Sequence, residues 1–374
     1  MFSFRSLKID WILFFATIPL LLAGLITMGS FGGKGAFFEK QVIWALLSFL
    51  VFFGLSFVDF RFLRRTEVAV ALFAGGCGLL LTLFVFGSVF KGAQSWFNFG
   101  AFAFQPSDMM KLILILVLTK YFSRRHMEIA NIRHIIVSGV YTLIPFFLVA
   151  LQPDFGSAVI IASIWFGMVL VSGISKKHLA LVFALALVSG GILWNFVFHE
   201  YQKQRVMNFI HPLADIRGTG YNAFQSTVAI GSGEWFGRGV GYGTQSRLNF
   251  LPEYQTDFIF AAFAEEWGFA GILLVFLFFA IVIWRILENA MHGETNFEML
   301  FGLGFAMYIA THFLINVGMN IGLLPVTGTP LPFMSYGGSH LITEFAGLGI
   351  LMGMRRYSRA AHRDDMKNEF LGVE

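Results

Sequence analysis

Ten apolar segments, each close to the length of a membrane-crossing helix, constrain this chain more than any other feature. A helix needs about 20 residues to cross a hydrocarbon core about 30 Å thick. The chain has 374 residues, of which 57% are hydrophobic and 13% charged, which is more apolar surface than a soluble core buries. The sequence therefore predicts an all-α integral membrane protein with about ten transmembrane helices. The segments are residues 11–28, 42–58, 68–86, 109–122, 135–151, 157–171, 179–198, 258–286, 299–324 and 341–354.

Basic residues predict the orientation of these segments. If ten spans alternate in direction, most lysines and arginines outside the spans fall on one side, which identifies the cytoplasm. Both termini are then cytoplasmic. We interpret the net charge of +4 as this topology signal and expect no nucleic-acid partner. The residues are Arg5, Lys8, Arg61, Arg64, Arg65, Lys120, Arg124, Arg125, Arg133, Lys176, Lys177, Arg285, Arg355, Arg356, Arg359, Arg363 and Lys367.

The motif-like polar segments fall on the opposite, external side. The largest is the loop of residues 199–256 between spans 7 and 8, which is rich in glycine and aromatic residues and too apolar for a disordered linker. We expect it to fold back onto a single polytopic membrane domain, residues 1–374. An external site has no nucleoside triphosphate, so a substrate there must carry its own leaving group, as a lipid-linked pyrophosphate sugar does. A transport path lined by the same groups is the alternative.

Three acids mark the start of span 8, in FLPEYQTDFIFAAFAEEWGF. Asp257 stands where the apolar run begins, so it either caps the helix or accepts a proton from a sugar hydroxyl as a general base. Glu265 and Glu266 follow about two turns later. For these two we prefer structural support, through an ion pair or a hydrogen bond to another helix.

Other charged residues are candidates for binding substrate. In QPSDMMK, Asp108 and Lys111 lie one helical turn apart, which indicates a salt bridge, and Lys111 could also lie beside an anionic pyrophosphate. Arginine suits phosphate because its guanidinium binds two oxygens at once, although an arginine in an exposed loop is often merely solvated. The external cations are Lys91, Arg205, Arg238 and Arg247.

Six motifs in this order resemble those of the SEDS family, which includes RodA and FtsW. They are QPSDMMK, QPDFGS, YQKQRVMNFIHP, AIGSGEWFGRG, GTQSRLNFLPEYQTDFIFAAFAEEWGF and PVTGTPLPFMSYGGS. The resemblance implies a peptidoglycan glycosyltransferase of the bacterial cytoplasmic (inner) membrane that polymerises lipid II. It also implies partnership with a class B penicillin-binding protein, the transpeptidase, and with other elongation-complex membrane proteins. FLPE and the short termini look more like RodA than FtsW, which favours a role in cell elongation and shape.

Carried over by position, the resemblance implies roles for individual residues. The family's essential aspartate falls on Asp257, and its polar pair falls on Asp108 and Lys111, with Asp where Glu is usual. His340 stands where the family's last motif has a second serine, and Ser95 where an arginine is expected. Asp257 would then be the general base on the GlcNAc 4-hydroxyl, which attacks the MurNAc anomeric carbon with inversion while undecaprenyl pyrophosphate leaves.

Pyrophosphate would be stabilised by cations among Lys111, Arg205, Arg238 and Arg247. A divalent cation such as Mg²⁺ could help these residues to stabilise the pyrophosphate, although the sequence has no metal-binding motif. The second function class is a lipid II flippase, with a path lined by Asp108, Lys111, Glu265, Glu266 and His312. One-sided motifs and the lack of a visible repeat favour the enzyme. A purely structural scaffold leaves Asp257 without a task.

Overall fold

A computed structural model describes most of the chain. The described residues are 9–30, 36–90, 93–98, 100, 102–123, 132–173, 175–196, 200–211, 215, 218, 220–248, 250–293 and 295–370. Several basic residues used above for topology or anion binding lie outside them, namely Arg5, Lys8, Lys91, Arg124 and Arg125.

Thirteen α-helices account for nearly all regular structure in these ranges. Each of the ten predicted spans coincides with a helix, α1–α7 and α11–α13, and six helices are long and apolar enough to cross a membrane by length and composition. The predicted fold class is confirmed. The helices are α1 (Trp11–Ser30), α2 (Ala36–Ser56), α3 (Thr66–Phe86), α4 (Pro106–Ser123), α5 (Ile132–Leu151), α6 (Phe155–Val171), α7 (Lys176–Phe196), α8 (Glu200–Ile210), α9 (Tyr221–Ser232), α10 (Thr244–Arg247), α11 (Ile259–Met291), α12 (Asn296–Asn320) and α13 (Gly338–Phe370).

A small antiparallel sheet between α3 and α4 was not predicted. Its strands are β1 (Ser88–Phe90), β2 (Ala93–Asn98) and β3 (Ala103–Phe104), in the order β1-β2-β3, with Phe97 opposite Phe104. The strands are too short for a period-2 pattern to stand out between two apolar spans.

Helix α4 is the centre of the bundle. It contacts α3, α5, α6, α12 and α13, and side chains on every face of it are buried. This enclosure explains why its sequence is apolar all round. Around it, α13 packs along α2, and α11 packs against α1 and α12.

An ionic cluster joins the start of α1, the last part of α11 and the middle of α13. The buried Asp10 carboxylate accepts hydrogen bonds from Arg285 Nε (3.0 Å), Asn289 Nδ2 (2.7 Å) and Arg355 Nη1 (3.3 Å). Arg64 pairs with Glu298 on the neighbouring α12. Arg285 and Arg355 thus lie at one end of the bundle, as the alternating topology requires.

Helix α11 is broken at Gly268, and residues 233–243 of the long segment between α7 and α11 fill the break. We call these residues the inserted loop. Gly268 has φ 64° and ψ −166°, which is not helical, and this disrupts the helical bonds from Phe269 N to Glu265 O and from Ala270 N to Glu266 O. Backbone groups of the inserted loop replace both. The four bonds are Phe269 N to Glu234 O (2.9 Å), Ala270 N to Trp235 O (3.0 Å), Arg238 N to Glu265 O (2.9 Å) and Gly239 N to Glu266 O (3.0 Å).

This exchange brings two backbones into direct contact, which requires glycine on both sides. A Cβ atom on Gly237 would lie 2.0 Å from the Glu266 carbonyl oxygen, and one on Gly268 would lie 2.2 Å from the Gly237 nitrogen. Both glycines also have positive φ, which side chains disfavour. The loop therefore folds back onto the bundle, as the sequence predicts.

Replacing Gly268 tests this junction. We expect Gly268→Ala to lower the free energy of unfolding by at least about 2 kcal/mol, because positive φ alone costs about 1–3 kcal/mol and the new Cβ meets the Gly237 nitrogen. Thermal unfolding in detergent measures the loss. Gly78→Ala in α3 is the matched control, since a Cβ there meets nothing within 4 Å. Equal melting temperatures for the two variants would contradict the role of this junction.

Candidate functional site

Asp257 lies in a tight turn just before α11. Thr256 N and Phe258 N both donate to the Glu253 carbonyl, each at 3.1 Å. Helix α11 begins at Ile259 with Phe258 as its cap residue, so the alternative that Asp257 caps the helix is wrong. The turn keeps the Asp257 side chain half-buried at the helix end.

Two buried asparagines of α12 hold the backbone of this turn. The Asp257 carbonyl accepts hydrogen bonds from Asn316 Nδ2 (3.0 Å) and Asn320 Nδ2 (3.1 Å), and both asparagine side chains are fully buried. The segment before α13 adds two more bonds to the preceding carbonyls: Ser335 Oγ to Thr256 O (2.7 Å) and Tyr336 N to Gln255 O (2.8 Å). Three successive carbonyls are therefore fixed.

The Asp257 carboxylate faces Gly328. A Cβ on Gly328 would lie 3.4 Å from Asp257 Oδ2, and Gly328 has φ +75°. The neighbouring carbonyl of Thr327 accepts a hydrogen bond from Arg205 Nη1 at 3.4 Å. Arg205 thus contacts the residue next to Gly328, in the segment that faces Asp257. It lines a pocket between α6, α8 and this segment, with Phe155, Gln202, Val206, Pro325, Val326 and Thr327.

Three motifs meet at the same end of the bundle. Gln105 Nε2 donates to Asp154 Oδ2 at 2.8 Å, and Asp154 Oδ1 caps α6 by accepting from Ser157 N at 3.1 Å. Gly156, in the first turn of α6, packs so closely on the Asp257-facing segment that a Cβ would lie 2.9 Å from the Thr327 carbonyl oxygen. QPSD, QPDFGS and PVTGTP therefore form one surface beside Asp257.

Asp108 and Lys111 form a buried ion pair deeper in the bundle. Lys111 Nζ lies 3.0 Å from Asp108 Oδ1, and the two side chains are 1% and 3% exposed. Ser339 Oγ donates to the other carboxylate oxygen, Oδ2, at 3.0 Å. The shorter aspartate thus reaches its lysine directly and also ties α4 to the start of α13.

His340 and Glu344 extend this ion pair. His340 Nδ1 lies 3.6 Å from Asp108 Oδ1, and its Nε2 lies 2.9 Å from Glu344 Oε1. Glu344 Oε2 accepts from Phe333 N at 2.9 Å. The His312 ring lies 4.6 Å from the His340 ring, centre to centre, and His312 Nδ1 lies 3.3 Å from the Pro330 carbonyl oxygen. The cluster therefore links α4, α12 and α13 to the Asp257-facing segment.

Sequence reasoning missed Glu344. The available signal was a single acid within an apolar span, four residues after His340 and so on the same helical face. Asn316 and Asn320 were missed as well, since amides in a helix rarely identify their partners from sequence.

Glu265 and Glu266 bind backbone and hydroxyl groups. Glu265 Oε1 accepts from Gln245 N at 2.9 Å. Glu266 Oε1 accepts from Gly241 N at 2.7 Å and from Ser30 Oγ. Both side chains are buried. They hold the inserted loop and α10 against α11.

The other predicted cations lie elsewhere. Arg238 is exposed, and its Nε donates to Ser232 O at 3.1 Å, at the end of α9 directly before the inserted loop. Arg247 is exposed at the end of α10. Lys111 is enclosed by its ion pair. Of these and Arg205, it is Arg205 that contacts the segment facing Asp257. Within the described ranges, no three His, Cys, Asp or Glu side chains are arranged so that they could hold a metal ion.

Fold and site together define a multi-pass membrane protein whose polar motifs gather around one acidic turn at the end of a broken helix. The FTSW_RODA_SPOVE family, described as "Cell cycle protein", matches residues 7–360. The chain belongs to this family.

Named relatives agree with this assignment. The chain is 38% identical to peptidoglycan glycosyltransferase MrdB of Escherichia coli over 75% of this chain and 76% of the relative. It is 32% identical to stage V sporulation protein E of Bacillus subtilis, covering 94% of this chain and 98% of that protein.

Two solved structures share the fold. One comes from a peptidoglycan synthase complex that coordinates polymerisation and crosslinking, and it matches with a TM-score of 0.81 and 30% identity, over 94% of this chain and 98% of that chain. Thermus thermophilus rod shape determining protein RodA matches with a TM-score of 0.70 and 29% identity, over 94% and 97%.

The buried ion pair gives a stability prediction. Lys111→Met should lower the free energy of unfolding by about 3–5 kcal/mol, because it strands the Asp108 charge in the bundle. Adding Asp108→Asn should restore part of that loss. Lys203→Met is the control, since Lys203 pairs with the exposed Glu200 and such surface pairs contribute about 0–1 kcal/mol. A double variant as unstable as the sum of its single changes would refute direct coupling.

Proposed function

We propose that this protein is a peptidoglycan glycosyltransferase that polymerises lipid II into glycan strands at the outer face of the bacterial cytoplasmic membrane, during elongation and cell-shape maintenance. Family membership and the names of its relatives support this proposal. The observation that carries it is the Asp257 carboxylate, held by a fixed backbone at the external end of α11 and facing the segment that Arg205 contacts.

Asp257 serves as the general base. Its carboxylate accepts the proton of the GlcNAc 4-hydroxyl, and that oxygen attacks the anomeric carbon of the donor MurNAc. The bond from this carbon to undecaprenyl pyrophosphate breaks, the electron pair leaves with the pyrophosphate, and an α-linked donor becomes a β-1,4 linkage. The three fixed carbonyls of the turn supply the positioning on which such a step depends.

Arg205 is the best-placed cation for the leaving pyrophosphate. It is half-buried, lines a pocket and donates a hydrogen bond to Thr327, the residue next to the Gly328 that faces Asp257. Lys111 acts through the buried cluster, which holds the start of α13 and the segment before it. A divalent cation such as Mg²⁺, when bound, would take oxygen ligands from the substrate's phosphates, as Mg²⁺ commonly does, and would neutralise part of their charge.

The protein's cellular setting belongs to the same proposal. Both termini lie in the cytoplasm, and a class B penicillin-binding protein supplies the transpeptidase that crosslinks the strands, with other elongation-complex membrane proteins alongside. The likeness to a solved synthase complex that coordinates polymerisation and crosslinking supports such a partner.

Substitution of Asp257 tests the enzyme. Asp257→Asn should lower polymerisation of labelled lipid II by at least about 100-fold, the scale of general-base catalysis, while leaving the melting temperature unchanged. The purified protein with its partner is assayed in detergent, where flipping has no meaning. Glu253→Gln, in the same turn, is the control and should retain activity. Strand synthesis by folded Asp257→Asn at the wild-type rate would rule out this base, and a lipid II flippase predicts no strands from any variant.

Substitution of Arg205 tests the anion site. A hydrogen bond to a charged group contributes about 1.5–3 kcal/mol, so Arg205→Gln should lower kcat/KM by roughly 10-fold to 100-fold. Arg247→Gln, an exposed arginine away from the turn, should remain near the wild-type value. Equal losses for both variants would show that general positive charge, and not the Arg205 position, matters.

A further inference from the structure

The inserted loop presents bulky apolar side chains away from the protein. Trp235, Phe236 and Tyr242 are 67%, 86% and 70% exposed, although the backbone of this loop is bonded tightly to α11. Several large exposed aromatic side chains on one short loop mark a surface that contacts something other than water. Because the backbone is fixed, these side chains project from a rigid support.

The length of α11 gives the depth of the loop in the membrane. A helix rises 1.5 Å per residue, so about 20 residues cross a hydrocarbon core about 30 Å thick. Arg285, which belongs to the ionic cluster with Asp10 and Arg355, marks the cytoplasmic end of the crossing. Counting about 20 residues back from Arg285 reaches Glu265, beside the break at Gly268. The inserted loop therefore lies at the outer boundary of the hydrocarbon core.

The exposed surface of α11 continues directly into the loop. Leu273, Leu274 and Leu277 are exposed on the stretch that crosses the core, so this face of the helix meets lipid. At the level of the break, Phe269 is also exposed and its ring lies 5.3 Å from that of Trp235, edge to face. Lipid-facing leucines thus give way to aromatic rings, the order found where a bilayer meets water.

We propose that the inserted loop docks in the outer leaflet of the bilayer. Its aromatic side chains enter the boundary between acyl chains and headgroups, and Arg238 binds a lipid phosphate there. Arg238 is exposed among these rings, and a guanidinium pairs well with phosphate oxygens. The loop fixes the depth of the broken helix. This assignment removes Arg238 from the candidates for substrate pyrophosphate and does not depend on the proposed enzymatic activity.

Site-directed spin labelling tests the docking. Cys77 is the sole cysteine, so Cys77→Ala gives a cysteine-free background into which Phe236→Cys is introduced and labelled. The protein alone is placed in phospholipid nanodiscs. The measured quantity is the ratio of label accessibility to oxygen, which partitions into lipid, over accessibility to a water-soluble nickel chelate. Leu277→Cys on α11 is the deep control, and Glu200→Cys, whose native side chain is 81% exposed, is the aqueous control.

The label at residue 236 should give a ratio well above that at residue 200 and below that at residue 277. A ratio equal to the aqueous control would overturn the proposal. Shielding of the label from both reagents would also overturn it, because protein would then cover the loop.

A second measurement isolates Arg238. Adding Arg238→Gln should shift the label at residue 236 toward the aqueous ratio, whereas Arg247→Gln should leave the ratio unchanged. An unchanged ratio in the Arg238 variant would overturn its assignment to a lipid phosphate. Melting temperatures of all labelled variants show that each is folded.

Discussion

The backbone exchange between α11 and the inserted loop is the interaction on which the outer half of this protein depends. A helix that breaks near a membrane surface leaves peptide groups without partners, at a cost of several kcal/mol each in lipid. Here the loop supplies partners for four backbone groups beside Gly268, and the Glu265 and Glu266 carboxylates bind the loop and α10. The outer part of α11, with the turn that holds Asp257, is consequently as rigid as the bundle beneath it.

Two further sets of contacts connect that turn to the bundle. Asn316 and Asn320 bind its carbonyl from α12, and the segment before α13 binds the two carbonyls before it. That segment is in turn held by the cluster of Asp108, Lys111 and their neighbours. The buried charges therefore fix α4 and α13 relative to the segment before α13, and through that segment they hold the Asp257 turn. Hydrogen bonds and ion pairs are electrostatically stronger in a low-dielectric interior than in water, which suits this purpose.

The sequence predicts the spans well because lipid imposes a simple requirement of length and apolar composition. The helices at all ten predicted segments are recovered from this pattern, six of them long and apolar enough to cross a membrane, and the Asp108–Lys111 pair is recovered from its helical spacing. Glu344, Asn316 and the backbone exchange are not, because each depends on a partner distant in the chain. The sequence also cannot tell Arg205 from Arg238, since both lie in the same long loop. Only the folded structure places Arg205 on the segment that faces Asp257 and Arg238 on the inserted loop.

The asparagine contacts to the Asp257 carbonyl determine how the turn responds to a substitution at residue 257. Asn316 and Asn320 donate hydrogen bonds to the main-chain carbonyl of residue 257, and these bonds do not involve its carboxylate. A change of side chain at this position therefore leaves these bonds intact, and the scaffold tolerates a change of chemistry without a change of shape. The architecture thereby separates the groups that hold the turn from the group that acts there.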